Sequence, residues 1–134
     1  MAQRICIIED DESIQDVLSI ILTRAGYETN IFSNGKAIIE NHYTAPHLFL
    51  LDKQLSGIDG IGICRHLKNN RNTKGIPVIL MSAFPDIEEL SIIAGADGFI
   101  EKPFQVKTLL STIRKHLQTP VADFQTPIAK EIPA

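Results

Sequence analysis

Residues 48–52 read Leu48-Phe49-Leu50-Leu51-Asp52, four apolar residues that end on an acid. A second apolar run, Ile5-Cys6-Ile7-Ile8, leads directly into the acids Glu9-Asp10-Asp11-Glu12. A strand that is apolar at every position is covered on both faces, which is typical of a parallel sheet with helices on either side. Ligands bind at the carboxyl ends of the strands in such sheets. The two runs therefore predict an α/β fold with carboxylates at its ligand-binding edge.

The acids at these two strand ends also predict a bound cation. When the two strands are neighbours, three or more carboxylates converge at one place. Each pair of like charges at roughly 4 Å costs about 4 kcal/mol at an effective dielectric constant of about 20. A cation between the carboxylates would remove this repulsion.

The bulk composition is that of an ordinary globular domain. The chain has 134 residues, 44% of them hydrophobic and 22% charged, with a formal net charge of -3. This length suits one domain with a real core, so we expect no appended DNA-binding domain. The basic residues are dispersed, which argues against direct binding to nucleic acid or to an anionic membrane.

The sequence also favours a cytoplasmic protein. Acids appear by residue 9, and no apolar stretch approaches the roughly 18 residues of a membrane span. Cys6 and Cys64 lack C-x-x-C spacing and are interpreted as buried thiols in a reducing compartment.

Strand and helix patterns alternate along the rest of the chain. This alternation predicts five β-α units joined by right-handed crossovers, which form a doubly wound sheet. The predicted strands are 5–8, 28–32, 48–52, 77–82 and 98–100. The predicted helices are one that ends at Gly26, a short one at 37–39 capped by Ser33, one at 61–70 capped by Asp59, one at 85–94 and one through 106–117.

Polar side chains that end or follow the predicted strands should meet at one edge of this sheet. Each of them alone has an ordinary explanation, because acids favour helix N-termini and turns, and a lysine is usually a solvated surface charge. Only their joint placement is specific. They are Glu9, Asp10, Asp52, Ser82 and Lys102.

This constellation resembles the receiver domain of a two-component response regulator. The resemblance covers residues 4–117 and rests on a set of motifs rather than on any one of them. The motifs are Asp52 with Leu55, Gly57 and Asp59-Gly60 after it, the hydroxyl of Ser82, Ala94-Gly95-Ala96-Asp97, and Lys102-Pro103-Phe104.

The resemblance implies a single flavodoxin-like (βα)5 domain over residues 1–118. Its five-stranded parallel sheet would have the order 2-1-3-4-5, with helices on both faces. Residues 119–134 contain Pro120, Pro127 and Pro133 and would form a tail or linker.

The resemblance implies that Asp52 is a phosphoacceptor. It would take a phosphoryl group from a phosphohistidine of a histidine kinase or phosphotransfer protein. Lys102 would contact Asp52 and then a phosphoryl oxygen, and the Ser82 hydroxyl would donate to another. The domain would assist its own phosphorylation and dephosphorylation without being an enzyme. Its changed surface would control a downstream protein partner.

The resemblance also implies a site for Mg²⁺, with Mn²⁺ as an alternative. A hard divalent ion suits a site that contains only oxygen ligands. Glu9, Asp10 and Asp52 would provide carboxylate oxygens, and Gln54 would provide its backbone carbonyl oxygen.

Further residues fall where receivers control switching and hydrolysis. Phe99 would turn inward when the Ser82 hydroxyl moves toward the phosphoryl group, although a core aromatic that never moves explains Phe99 equally well. Gln54 and Phe84 occupy positions that influence attack by water, and we predict that Phe84 dominates and slows hydrolysis. The Lys102-Pro103 peptide bond would be cis, as in the family.

The sequence departs from the family pattern at three places. Ser56 stands where proline is common, and Ser82 replaces the commoner threonine. The stretch from Ser82 to Lys102 is shorter than usual by about half a helical turn. That stretch contains the fourth helix, which many receivers use to dimerise or to bind output partners. A homodimer is compatible with the sequence, but the usual interface is not assumed.

Other functions on a similar topology match the sequence less well. A haloacid dehalogenase type of hydrolase has a second aspartate two residues after its nucleophile, where this chain has Gln54. A flavin carrier needs a phosphate loop after the first strand, where the acids of this chain would repel phosphate. An interaction module that keeps the fold without phosphorylation is the main alternative, and the short fourth-helix region keeps it open.

Overall fold

The described part of the chain folds into a five-stranded parallel sheet with helices on both faces. The computed structural model describes residues 2–118. The order across the sheet is β2-β1-β3-β4-β5, and every neighbouring pair is parallel, which confirms the predicted topology. The strands are β1 (Arg4–Ile8), β2 (Glu28–Phe32), β3 (Leu48–Asp52), β4 (Val78–Ser82) and β5 (Gly98–Glu101).

The helices divide the core into two clusters, one on each face of the sheet. Those of the described residues are α1 (Glu12–Arg24), α2 (Lys36–Ile39), α3 (Gly60–Lys68), α4 (Ile87–Ala94) and α5 (Val106–Gln118). Helices α1 and α5 pack on one face through residues such as Leu18 and Ile113. Helices α2, α3 and α4 pack on the other face through Ile38, Ile63 and Ile87.

The three central strands are as buried as their apolar sequences predict. All residues of β3 and β4 are buried, and in β1 only Arg4 is partly exposed. The edge strands β2 and β5 have several less buried positions. Burying one large aliphatic side chain contributes about 1.5–3 kcal/mol. The central strands are therefore firmly fixed, and so are the positions of the acids at their ends.

Aspartates start two of the helices. The Asp11 carboxylate accepts a hydrogen bond from the N–H of Ser13 at 2.8 Å and caps α1. The Asp59 carboxylate accepts one from the N–H of Gly62 at 3.0 Å and caps α3, as predicted. Each cap satisfies a backbone donor that the helix itself leaves unpaired.

The prediction that Ser33 caps α2 was wrong. Gly35 is the N-cap, with no side-chain hydrogen bond. The Ser33 Oγ instead accepts a hydrogen bond from the side-chain amide of Gln15 at 3.2 Å. This serine therefore connects α1 to the loop after β2.

Two predicted helix boundaries also differ from the structure. Helix α4 begins at Ile87 rather than Pro85, because the Ser82 Oγ accepts the N–H of Phe84 at 3.0 Å and the chain turns before the helix. Helix α3 covers 60–68 rather than 61–70, with Asn69 as its C-cap. Helix ends fray within one or two residues, which sequence patterns do not resolve.

Both cysteines are buried free thiols, as the sequence predicts. Burial raises the pKa of Cys6 to about 12 and that of Cys64 to about 11. The two thiols therefore stay protonated at neutral pH, and a thiolate is the form that binds metal.

The Lys68 ammonium holds the loops before β4 and β5 together. It donates to the carbonyl oxygens of Lys74 at 3.1 Å and Ile76 at 2.9 Å. It also lies 2.6 Å from the Asp97 carboxylate, which accepts the N–H of Val78 at 2.8 Å. These contacts give the Asp97 of the Ala-Gly-Ala-Asp motif a structural role.

We expect Lys68→Met to lower the free energy of unfolding by about 2–3 kcal/mol, because two carbonyl oxygens lose the ammonium as a donor and the Asp97 carboxylate loses its ion pair. Lys74→Met is the matched control, because it removes an exposed ammonium. Urea denaturation measures both variants. Equal midpoints for the two would contradict the structural role of Lys68.

The predicted tail or linker, residues 119–134, lies outside the described residues. Within residues 2–118, no helix combines the length and the apolarity needed to cross a membrane.

Candidate functional site

The carboxylates of Glu9, Asp10 and Asp52 lie together at the carboxyl edge of the sheet. Strands β1 and β3 are neighbours, with Ile8 opposite Leu51, so the acids at their ends meet. One carboxylate oxygen from each residue lies within 4.8 Å of those from the other two. Glu9 is 1% exposed and Asp52 is 5% exposed, whereas Asp10 is open to solvent. The structure thus brings together the acids that the sequence placed at this edge.

The Lys102 side chain enters this group of acids. Its Nζ lies 2.9 Å from the Oε1 of Glu9 and 3.1 Å from the Oδ1 of Asp52. Its backbone N–H donates to the carbonyl oxygen of Ser82 at 2.8 Å, which joins the ends of β5 and β4. The Lys102 side chain is 16% exposed. The ammonium is therefore a largely buried cation between two buried carboxylates.

The charges in this group are unbalanced, because three carboxylates share one ammonium. Burial raises the pKa of Glu9, the charge of Asp52 acts in the same direction, and the hydrogen bond from Lys102 opposes both. Burial acts to lower the pKa of Lys102, but its hydrogen bond to Glu9 and the charges of both acids outweigh burial, so that pKa is raised. The ammonium stays charged at neutral pH, and the group attracts a further cation.

The start of α3 holds the backbone next to Asp52. The N–H of Gly60 donates to the carbonyl oxygen of Lys53 at 2.8 Å. A Cβ on Gly60 would overlap the carbonyl oxygen of Asp52, so a larger residue does not fit here without a shift of the backbone. On the neighbouring strand, the Oε2 of Glu9 accepts the N–H of Asp11 at 3.1 Å. Backbone contacts thus fix both buried acids.

Ser82 ends β4 at the same edge and is 1% exposed. Its Oγ accepts the N–H of Phe84 at 3.0 Å. A serine hydroxyl both donates and accepts, so Ser82 can still donate to a ligand. The peptide bond between Lys102 and Pro103 is cis, as the resemblance implied.

The other predicted residues lie around this edge with different surroundings. Gln54 is exposed, two residues beyond Asp52. Phe84 is 42% exposed, and the Nζ of Lys53 lies 4.9 Å from the centroid of its ring. Phe99 is partly buried and packs against the core cluster beneath α2, α3 and α4. Lys53 was not predicted as a site residue, because a lysine after a buried strand is usually a solvated charge.

The donor atoms of the acidic group fit a hard divalent cation. All of them are carboxylate oxygens, from Glu9, Asp10 and Asp52. Oxygen ligands suit Mg²⁺ and Mn²⁺, whereas structural Zn²⁺ sites use thiolates and imidazoles. Because Asp10 is exposed, the group is also open to the water ligands that Mg²⁺ retains.

Comparisons with known sequences agree with this geometry. A sequence model of the response regulator receiver domain matches residues 5–114. The DNA-binding response regulator MtrA of Mycolicibacterium paratuberculosis is 36% identical over 121 residues, which are 88% of this chain and 52% of MtrA. The chain therefore spans about half the length of the curated relatives it matches.

Solved structures share the fold of the described residues. The receiver domain of a signal transduction histidine kinase from Syntrophus aciditrophicus is 32% identical with a TM-score of 0.83, over 96% of this chain and 99% of that one. The receiver domain of the sensor histidine kinase PA1611 from Pseudomonas aeruginosa PAO1 is 22% identical with a TM-score of 0.79, over 87% and 98%. That second structure has a magnesium ion in its active site cleft, and its likeness shows the fold alone.

Response regulators receive phosphate from the histidine kinases of two-component systems. The family match covers most of the chain, and the sheet order and the acids at its edge agree with it. The chain therefore belongs to the response regulator receiver domain family, the phosphorylation-activated signalling switches of two-component systems.

Proposed function

We propose that Asp52 of this receiver domain accepts a phosphoryl group from a phosphohistidine of a histidine kinase or phosphotransfer protein. The observation that carries this proposal is the Lys102 ammonium, 2.9 Å from Glu9 and 3.1 Å from Asp52. A buried ion pair contributes little net stability. This one does place a fixed positive charge where a transferred phosphoryl group adds negative charge.

The transfer needs little from the protein beyond position and charge. A carboxylate oxygen of Asp52 attacks the phosphorus in line while the N–P bond of the phosphohistidine breaks. The electron pair of that bond returns to the imidazole nitrogen, which is then protonated by solvent. Lys102 pairs with one oxygen of the transferred group, and the Ser82 hydroxyl donates to another. The domain thereby assists its own phosphorylation without turning over a substrate.

The acidic group would hold Mg²⁺, and the same oxygen ligands would accept Mn²⁺. Glu9, Asp10 and Asp52 would bind it through carboxylates and Gln54 through its backbone carbonyl. When bound, the ion neutralises negative charge on the carboxylates and the phosphoryl group. The all-oxygen donor set supports this assignment.

We expect Mg²⁺ to raise the thermal unfolding temperature of the wild type and to have little effect on Asp10→Asn. A ligand at a hundred times its Kd stabilises a fold by about 2.7 kcal/mol, and the variant loses the most accessible of the three carboxylates. Glu12→Gln is the control, because it removes an exposed acid outside the group. A shift of the same size in all three proteins would show that Asp10 does not bind the ion.

Phosphorylation would change the surface through Ser82 and Phe99. The Ser82 hydroxyl would move toward the phosphoryl group, and the partly buried Phe99 ring would follow it inward. Such a switch requires the phosphoryl group to contact the active arrangement better than the resting one, and Ser82 and Lys102 supply that difference.

Phe84 would slow hydrolysis of the aspartyl phosphate, with Gln54 having a smaller influence through its amide. We expect Phe84→Ala to shorten the phosphoryl lifetime about tenfold, equivalent to a barrier lower by about 1.4 kcal/mol, because the ring no longer restricts water. Loss of radiolabel after removal of the donor measures the lifetime. An unchanged or longer lifetime in Phe84→Ala would rule out shielding.

The phosphorylated domain would act by binding a protein partner in the cytoplasm, with no direct contact to nucleic acid or membrane. The formal net charge of -3 and the dispersed basic residues support this view. A homodimer is compatible with this proposal. Regions outside this chain in its longer relatives would add outputs of their own.

Incubation with acetyl phosphate and Mg²⁺ tests the proposed function. We expect at most one phosphoryl group per molecule and no sustained turnover of phosphate esters. Sustained ester turnover would indicate a hydrolase. No incorporation, either from acetyl phosphate or from a set of phosphorylated histidine kinases, would indicate an interaction module that is independent of phosphorylation.

A further inference from the structure

We propose that Lys53 is a positioning residue that holds the Phe84 ring over the entrance to the phosphoacceptor site. The Nζ of Lys53 lies 4.9 Å from the centroid of the Phe84 ring, a distance typical of a cation–π contact. The contact connects the loop after β3 to the loop after β4, the two loops that flank Asp52 and Ser82. This inference rests on the proposed function, because its consequence is a longer-lived phosphoryl group.

Both partners of this contact project from fixed backbone. The N–H of Lys53 donates to the carbonyl oxygen of Met81 at 2.8 Å, and its carbonyl oxygen accepts the N–H of Gly60 at 2.8 Å. Phe84 is held through its own N–H by the Oγ of Ser82 at 3.0 Å. The two side chains are therefore brought together by the sheet edge and the start of α3.

The contact supplies a restraint for an aromatic ring that is exposed. Phe84 is 42% exposed, so packing alone gives it little restraint. The Lys53 side chain is partly buried, and its ammonium lies against the ring. Hydrolysis of the aspartyl phosphate requires the Phe84 ring to move aside. The rate of hydrolysis therefore follows the fraction of molecules in which the contact between Lys53 and Phe84 is broken.

The contact also links Phe84 to the switch. The hydroxyl that holds the Phe84 backbone belongs to Ser82, which would turn toward the phosphoryl group. Lys53 provides a second restraint on the ring that does not depend on Ser82. The shield would therefore stay closed while the hydroxyl donates to the phosphoryl group.

The test measures phosphoryl lifetime in Lys53→Met and Lys53→Arg, each with Phe84 present and in the Phe84→Ala background. Methionine keeps an apolar stem without the charge, and arginine keeps a cation that stacks on aromatic rings. We expect Lys53→Met to shorten the lifetime about two- to fivefold, which is the loss of one exposed cation–π contact. Lys53→Arg should restore the wild-type lifetime, and Lys53→Met should add nothing in the Phe84→Ala background.

Two results would overturn the inference. An unchanged lifetime in Lys53→Met would show that the contact does not restrain the ring. An equal shortening with and without Phe84 would show that Lys53 acts on the phosphoryl group directly.

A second measurement separates failure of this inference from failure of the proposed function. The ring current of Phe84 should shift the ε-methylene proton signals of Lys53 upfield in the wild type, compared with Phe84→Leu. Absence of that shift overturns the positioning role even if Asp52 is phosphorylated. If the shift is present in a protein that takes no phosphoryl group, Lys53 positions the ring and the proposed function is wrong.

Discussion

Replacing Asp52 with asparagine is expected to abolish phosphoryl incorporation from both acetyl phosphate and a phosphorylated histidine kinase. The asparagine amide has nearly the same shape as the carboxylate but is a very poor nucleophile, so no acyl phosphate forms. The fold should persist, because the Lys102 ammonium keeps its hydrogen bond to Glu9 at 2.9 Å. Incorporation of radiolabelled phosphate, with circular dichroism as a check on folding, measures the effect.

Asp16→Asn is the matched control for the charge that Asp52→Asn removes. Asp16 is an exposed aspartate on α1, outside the acidic group. Incorporation from acetyl phosphate should stay at the wild-type level in this variant, since the donor needs no protein interface. Substantial incorporation in a folded Asp52→Asn protein would mean that another side chain accepts the phosphoryl group.

Replacing Lys102 with methionine is expected to have the second largest effect. The rate of phosphorylation should fall about a hundredfold or more. The catalytic rate of enzymes falls by a similar factor when one fixed group that stabilises the transition state is removed. In buffer without Mg²⁺ the variant should also lose about 3 kcal/mol of stability, because Glu9 and Asp52 remain buried without their partner. The time course of radiolabelled phosphate incorporation measures the rate, and urea denaturation measures the stability.

Adding Mg²⁺ to Lys102→Met separates the effect of the lost charge from the effect of the lost side-chain packing. The variant has three carboxylates and no ammonium at the site. Mg²⁺ should therefore restore most of the stability that the variant has lost, and the gain in stability on adding Mg²⁺ should be larger for the variant than for the wild type. Lys102→Arg is the control, because it retains a positive charge at the site. If Lys102→Met were as stable as the wild type without Mg²⁺, the two ion pairs would have no energetic role.

The local and repeated patterns of the sequence were sufficient to predict a doubly wound parallel sheet, and the resemblance to receiver domains supplied its strand order. The apolar strands β1, β3 and β4 are buried in the structure, and their acidic or hydroxylic ends lie at one edge. Parallel strands put those ends on the same side of the sheet, so the meeting of Glu9 with Asp52 follows from pattern and topology together. The place of Lys102 at that edge was predicted in the same way.

Contacts between loops could not be predicted from the sequence. The side chains of Lys53 and Phe84 are 31 positions apart in the chain, and neither strand pattern nor motif relates them. The start of α4 was misplaced because the Ser82 hydroxyl captures the N–H of Phe84, and a serine at a strand end gives no sign of this hydrogen bond. These interactions depend on three-dimensional neighbours rather than on local sequence.

The most direct test of the phosphoacceptor site is to locate the phosphoryl group. The wild-type protein would be phosphorylated with acetyl phosphate and Mg²⁺, reduced with borohydride to trap the acyl phosphate, and mapped by tandem mass spectrometry. We predict a single reduced side chain, at Asp52. A reduced side chain at a different residue would contradict the assignment. So would the absence of any reduced side chain in a protein that has incorporated radiolabelled phosphate.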